Sequence, residues 1–161
     1  MKEDLKKIII ELLAQMGFES EIYERQEEGR LVLNIKTADA QLLIGKQGAN
    51  LEALQHLVYL LARKHDQLQD ISFGLDIDDY REKRVIFLKE VARKAAHQVR
   101  ATRRSVMLPV MPASERRIIH NYLSLFSDIS SESSGKDPDR RIVIRQKKTE
   151  PKGPFEFIEN S

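Results

Sequence analysis

The chain has 161 residues, 41% of them hydrophobic, which suits one domain or two small ones with a buried core. It contains no cysteine, so disulfides and thiolate metal sites are excluded. The formal net charge of +2 conceals an asymmetry, because residues 1–78 carry 9 Lys/Arg and 14 Asp/Glu whereas residues 79–161 carry 18 and 11. Such a split favours two units with different partners, and the basic half is the better candidate for contacts with phosphate.

The N-terminal residues argue against two kinds of targeting segment. Glu3 and Asp4 stand where a signal peptide carries basic residues, and charged residues interrupt the apolar positions that follow. We therefore expect no signal peptide, no transmembrane span and no membrane insertion. Together with the lack of cysteine, this pattern is compatible with a reducing cytoplasm.

The first half of the chain predicts a small α+β unit. Apolar residues recur at helical spacing from Leu5 to Met16, and Gly17 suits the end of that helix. Residues 20–26 and 31–36 then predict two strands joined by a hairpin turn.

Two further helices and a third strand follow. A short helix capped near Asp39 runs to Ile44, and a longer one runs from Leu51 to about Lys64. Alternation over residues 71–77 predicts the third strand. The predicted order is helix, strand, strand, helix, helix, strand, with the helices on one face of the sheet.

A turn with two glycines separates these two later helices. Glycine lacks a Cβ, so a sugar-phosphate chain can approach the backbone closely, and the first N–H groups of the next helix favour phosphate. Lys46 adds a mobile cation. Ile44 and Leu51 are expected to floor a groove for unstacked bases. The residues of this predicted RNA site are Ile44, Gly45, Lys46, Gln47, Gly48 and Leu51.

A G-x-x-G turn by itself is more often an ordinary corner between two helices than a ligand site. Its interpretation as a nucleic-acid site therefore depends on the rest of the chain.

The second half of the chain predicts a second, more basic unit. Asp78 is the predicted N-cap of a long helix over about residues 79–103, which is apolar on one side and basic on the other. Pro109 marks a short edge strand, and Pro112 suits the first turn of another helix.

The rest of this half ends in a strand and a tail. Residues 127–140 are polar and predict a strand end and a turn, and residues 140–145 predict a final strand. The predicted domains are residues 1–78 and 79–148, and Pro151, Gly153 and Pro154 predict a flexible tail over residues 149–161.

Arg116 and His120 stand four residues apart in the last predicted helix and therefore share one face. With Arg140 and Arg141 they could form a compact phosphate-binding patch, because arginine presents a planar fork and histidine donates from its ring. An isolated pair with this spacing is usually an ordinary surface pair, so here too the context matters.

Both motifs resemble those of known domains. The turn resembles the core of a type II KH domain, whose G-x-x-G loop clamps a short single strand. Arg116 and His120 lie in PASERRIIH (residues 112–120), followed by SESSG (131–135) and DRRIVI (139–144). That pattern resembles the small R-x-x-x-H, or R-3-H, α/β domain. The order of the two domains, joined by DIDDYR (76–81), resembles the bacterial Jag family, also called SpoIIIJ-associated protein or KhpB.

The resemblance covers residues 1–148 and implies a cytoplasmic protein without cofactor or metal that binds single-stranded RNA, or single-stranded DNA. It implies an RNA chaperone or post-transcriptional regulator, linked in the family to cell-wall synthesis and cell elongation, and a small single-KH partner. Longer members have an extra N-terminal Jag domain and a linker, and the resemblance predicts a short form without them. Asp79 stands where a glycine or asparagine is expected.

Two other functions compete with RNA binding. The four histidines form no metal-ligating pair, and the sequence has no nucleophile elbow and no Walker loop, so an enzyme is not expected. The alternative is an adaptor whose two domains mainly mediate homodimerisation or the binding of a partner protein.

Overall fold

The computed structural model describes residues 2–65, 68 and 71–147. The chain divides into two compact units, the first ending at Arg84 and the second beginning at Val85. Each unit combines helices with a three-stranded sheet, so the predicted α+β class is confirmed. The proposed boundary at 78/79 lies six residues before this division, and the proposed tail over residues 149–161 lies outside the described residues.

The first unit has the predicted element order αββααβ. Strands β1 (Glu21–Glu27) and β2 (Arg30–Lys36) form an antiparallel hairpin, and β3 (Phe73–Ile77) pairs parallel to β2 on its other side. A single 3-10 turn joins the second and third helices. The elements are α1 (Lys2–Gln15), β1 (Glu21–Glu27), β2 (Arg30–Lys36), α2 (Ala40–Ile44), α3 (Ala49–Ala62) and β3 (Phe73–Ile77).

The core of the first unit follows from the periodicity of these elements. Residues spaced by three or four positions on α1 and α3 are buried against alternate residues of β2 and β3, because one face of each element is apolar. The central members of this cluster are Leu5, Ile9, Leu13, Leu33, Ile35, Leu51, Val58, Leu75 and Ile77.

A polar network closes the end of β3, where α4 (Tyr80–Thr102) begins. Asp76 is fully buried, and its Oδ2 lies 2.6 Å from Arg25 Nη2. Its Oδ1 accepts the backbone N–H of Arg81 at 3.2 Å. Asp76 therefore lies near the end of β3 and caps a backbone N–H in the first turn of α4. The prediction that Asp78 is the N-cap is wrong. Asp78 and Asp79 both adopt positive φ, of 50° and 58°, so α4 starts only after them.

Asp79 ties this turn to the sheet. Its carboxylate accepts hydrogen bonds from Lys36 Nζ at 2.7 Å, Asn34 Nδ2 at 2.8 Å and Arg25 Nη1 at 2.6 Å. The hydrogen bond from Lys36, together with the charge of Arg25, holds the pKa of Asp79 below its usual value. The left-handed backbone explains why glycine or asparagine is expected here, because these residues adopt positive φ most readily.

The second unit packs α4 and α5 (Ala113–Leu123) against an antiparallel sheet of order β4-β6-β5. Its strands are β4 (Val106–Met107), β5 (Ile129–Ser134) and β6 (Arg141–Gln146). The prediction of only a strand end and a turn over residues 127–140 is wrong, because β5 is a full strand. The inward-facing positions of β5 after Ile129 are serines, so the sequence of this strand shows no alternation of hydrophobic and polar residues.

Within the described residues, no helix is long and apolar enough to span a membrane.

Candidate nucleic-acid interface

The G-x-x-G loop owes its shape to three left-handed residues. Gly45, Gln47 and Gly48 have φ of 70°, 55° and 84°. The Gly45 N–H donates to the carbonyl of Gln41 at 3.0 Å, and the Gly48 N–H donates to the carbonyl of Gly45 at 3.3 Å. The chain therefore makes a compact turn that delivers it directly into the first turn of α3.

Both glycines are also required by packing inside the protein. A Cβ on Gly45 would lie 2.5 Å from Cγ of Asn50, whose Nδ2 donates to the carbonyl of Leu42 at 2.8 Å. A Cβ on Gly48 would lie 2.9 Å from the ring of Tyr80. The glycines thus allow the loop to close against Asn50 and Tyr80.

Gly48→Ala is expected to lower the free energy of unfolding by about 2–4 kcal/mol, because the left-handed backbone costs ~1–2 kcal/mol and the contact with Tyr80 adds a further cost. Gly29→Ala is the matched control, since Gly29 has φ of 79° but open space around a Cβ. Its expected loss is about 1–2 kcal/mol. Urea unfolding of both variants measures the difference, and equal losses would mean that the Tyr80 contact is unimportant.

The predicted residues of the loop differ in accessibility. Lys46 is exposed and Ile44 is half-buried. Gln47 is half-buried and makes contacts, whereas the KH resemblance implies that its side chain points to solvent as that of Lys46 does. Leu51 is only 2% exposed and belongs to the core, so it cannot floor a groove for bases. Leu51 is the third residue of α3, and it packs in the core with residues of β2 and β3.

A groove was predicted beside this loop, but the groove in the structure has a lining that contains neither Ile44 nor Leu51. It runs between α3 and the edge strand β3, and we call it the α3–β3 groove. Cationic side chains from two other elements, β2 and the start of α4, also reach it. Its lining residues are Arg30, Glu52, Gln55, His56, Tyr59, Ile71, Ser72, Phe73 and Arg81. Arg30 and Arg81 are 51 positions apart in the sequence, so no local pattern could have brought them together.

In the second unit, His120 lies between two serine side chains of β5. Its Nδ1 is 2.7 Å from Oγ of Ser131, and its Nε2 is 3.0 Å from Oγ of Ser133. Burial, followed by the positive charges of Arg116 and Arg140, lowers the pKa of His120 below its usual value. This shift favours the neutral ring, in which one nitrogen donates to a serine and the other accepts from one.

The other predicted residues of this patch lie in three different settings. Arg116 is 6% exposed, its Nη1 donates to the carbonyl of Met111 at 2.8 Å, and it lies 3.2 Å from Oδ1 of Asp137. Arg116 therefore does not present an exposed guanidinium to phosphate, as the predicted patch would require. Arg140 is half-buried near His120, and its Nε has no hydrogen-bond partner among the described residues.

Arg141 lies outside this cluster. In the β5–β6 register, Ile142 pairs with Ser133, which faces α5, whereas Arg141 pairs with Ser134 on the opposite face of the sheet. Arg116, His120 and Arg140 are thus brought together, and the prediction that Arg141 completes a compact patch with them is wrong.

Comparison with known proteins places both units in families. The family described as "KhpA/KhpB, KH domain" matches residues 2–72, and the R-3-H domain family matches residues 86–146. The protein named RNA-binding protein KhpB from Clostridium symbiosum is 35% identical, over 91% of this chain and 68% of its own length. The protein of the same name from Bacillus subtilis (strain 168) is 34% identical, over 88% and 69%. The chain belongs to the KhpB family.

Membership of the KhpB family confirms the resemblance found in the sequence. The G-x-x-G loop and Arg116 with His120 each fall inside the corresponding matched region. The relative from Lactiplantibacillus plantarum (strain ATCC BAA-793 / NCIMB 8826 / WCFS1) is 39% identical over 72% of this chain but only 36% of its own length. KhpB proteins thus include chains considerably longer than this one.

This KhpB-family chain also has an apolar groove lined by residues of α2, α3 and the segment after α1. Met16, Phe18, Leu42 and Leu57 line it, and Leu42 is 65% exposed. Among residues 2–65, 68 and 71–147, no three His, Asp or Glu side chains are grouped so that they could hold a metal ion.

Proposed function

We propose that this chain binds single-stranded RNA through the G-x-x-G loop and the α3–β3 groove of its first unit. The observation that carries this proposal is that the loop leads directly into the helix that lines the groove. The loop ends at Gly48, α3 begins at the next residue, and the groove runs along α3 between cationic side chains. The relatives reported above are themselves named RNA-binding proteins.

The loop suits a phosphate in three ways. Gly45 is only partly buried, the dipole at the N-terminus of α3 favours negative charge, and exposed Lys46 supplies a cation. The adjacent groove then receives the bases of the same strand, which must be unstacked to enter it. The RNA site predicted from the sequence is retained in this proposal without Leu51.

The second unit adds an independent contact in this proposal. Arg140 and the serine hydroxyls around neutral His120 are the groups that meet the strand, while Arg116 holds the neighbouring turn through Asp137. An RNA chaperone or post-transcriptional regulator in the cytoplasm, without enzymatic activity, is the role that such contacts support. Single-stranded DNA is a weaker ligand of the same surfaces.

Fluorescence anisotropy with the full chain tests this function. A single-stranded RNA should bind more tightly than a duplex of the same length, because the α3–β3 groove needs unstacked bases. If the chain neutralises about four phosphates, log K should fall with log salt at a slope of about −3. A slope near zero would mean that the cations are only a solvated surface, and a preference for duplex would contradict the use of the groove.

A protein adaptor is the second candidate function, because the groove around Met16, Leu42 and Leu57 is apolar and partly exposed. A homodimer or a small single-KH protein could bury this surface. Size-exclusion chromatography with light scattering, with and without RNA, distinguishes this role. Self-association that persists after nuclease treatment favours the adaptor, whereas a monomer without RNA disfavours the homodimer.

A further inference from the structure

Side chains cover the outer edge of β3. Because β3 is an edge strand, its outward backbone groups have no strand partner. Oε1 of Gln55 accepts the N–H of Leu75 at 3.2 Å, and Nε of Arg81 donates to the carbonyl of Leu75 at 3.1 Å. Nη2 of Arg30 donates to the carbonyl of Phe73. A ligand in the α3–β3 groove therefore meets side chains at this edge rather than backbone.

Gln55 and Arg81 also bind each other, and this contact determines which hydrogen-bonding groups they can present to a ligand. Nη2 of Arg81 donates to Oε1 of Gln55 at 3.1 Å, so this oxygen accepts two hydrogen bonds and both of its lone pairs are engaged. Gln55 then presents only its NH2 group. Arg81 uses two of its roughly five N–H donors in these contacts. The pair thus presents donors and no acceptor.

The surroundings of this pair favour a base over a phosphate. Glu52 lies one helical turn before Gln55 and lines the same groove, where its carboxylate would repel phosphate. Tyr59, one turn after Gln55, is 39% exposed and offers a ring on which a base can stack.

We infer that Gln55 and Arg81 recognise guanine. The inference rests on the proposed binding of single-stranded RNA and adds a base preference to it. Guanine presents two neighbouring acceptors, O6 and N7, which match the planar fork of an arginine. Adenine presents an amino donor beside N7, and glutamine recognises it only with a free amide oxygen, which Gln55 lacks. Cytosine likewise presents an amino donor, and uracil presents a single carbonyl oxygen where guanine presents both O6 and N7.

Binding of the full chain to uridine oligomers tests the inference. The oligomers carry one central guanosine, adenosine or cytidine, or none, and binding is followed by fluorescence anisotropy. The guanosine oligomer should bind roughly tenfold more tightly than the adenosine oligomer, the value of one bidentate contact. Arg81→Lys keeps the charge but loses the fork, so the preference for the guanosine oligomer over the adenosine oligomer should disappear.

A second variant and a control keep the test independent of folding. Gln55→Glu keeps an acceptor for Leu75 and Arg81 but has no donor, so it should also lose the preference. Arg93→Lys, an exposed arginine paired with Glu90 on α4, should retain it. Equal affinity of the unmodified chain for all four oligomers, or a preference kept in both groove variants, overturns the inference. Binding to none of the oligomers would contradict the proposed function itself.

Discussion

Lys46→Asp is expected to weaken the binding of a short single-stranded RNA by about tenfold to a hundredfold. Lys46 is exposed at the tip of the G-x-x-G loop, so the change replaces a charge-assisted phosphate contact by repulsion. Hydrogen bonds to charged groups are worth about 1.5–3 kcal/mol, which corresponds to this range. Gln47 is left unchanged, because it is half-buried and engaged. Anisotropy titration at fixed salt gives the affinity.

Lys7→Asp is the matched control for this prediction. It makes the same change in net charge at an exposed position of α1, outside the loop and the groove. Only a small, salt-dependent loss of affinity is expected from it. If both variants lose affinity equally while their circular dichroism is unchanged, the loop has no special role and the RNA senses only the overall charge.

Asp76→Ala is expected to lower the free energy of unfolding by about 3–5 kcal/mol, the usual cost of breaking a buried ion pair from one side. Asp76 is fully buried, and its carboxylate accepts from Arg25 and from the backbone N–H groups of Ile77 and Arg81. Removing it leaves these donors without their partner at the point where β3 passes into α4. Chemical unfolding of the first unit, followed by circular dichroism, measures the loss.

Asp128→Ala provides the comparison, because Asp128 also forms an aspartate–arginine pair. Its two oxygens lie 2.7 and 2.8 Å from Arg100, but both side chains are 39% exposed. A solvent-exposed ion pair contributes about 0–1 kcal/mol to stability, so the expected loss in the free energy of unfolding is correspondingly small. A similar loss in both variants would show that burial of Asp76 does not determine its contribution.

Much of the architecture could be predicted because it depends on local periodicity. The helix over Lys2–Gln15 and the hairpin of β1 and β2 follow from spacings of 3.6 and 2 residues, which set the face each side chain occupies. Strand β5 could not be predicted in the same way. Its inward serines are satisfied by His120, a residue that lies 11 and 13 positions earlier in the sequence.

The sequence by itself determined the order of the elements, the left-handed glycine loop, the proximity of Arg116 to His120 and the family of the chain. Each of these depends on residues a few positions apart, whose geometry the backbone sets locally. Only the tertiary structure decided which of these side chains a ligand can reach. Leu51 and Arg116 are buried and Arg141 lies on the other face of its sheet, because distant elements pack over them or turn them away. The α3–β3 groove likewise exists only because the packing of α3 and the start of α4 beside the sheet brings Gln55 and Arg81 to the same edge as Arg30.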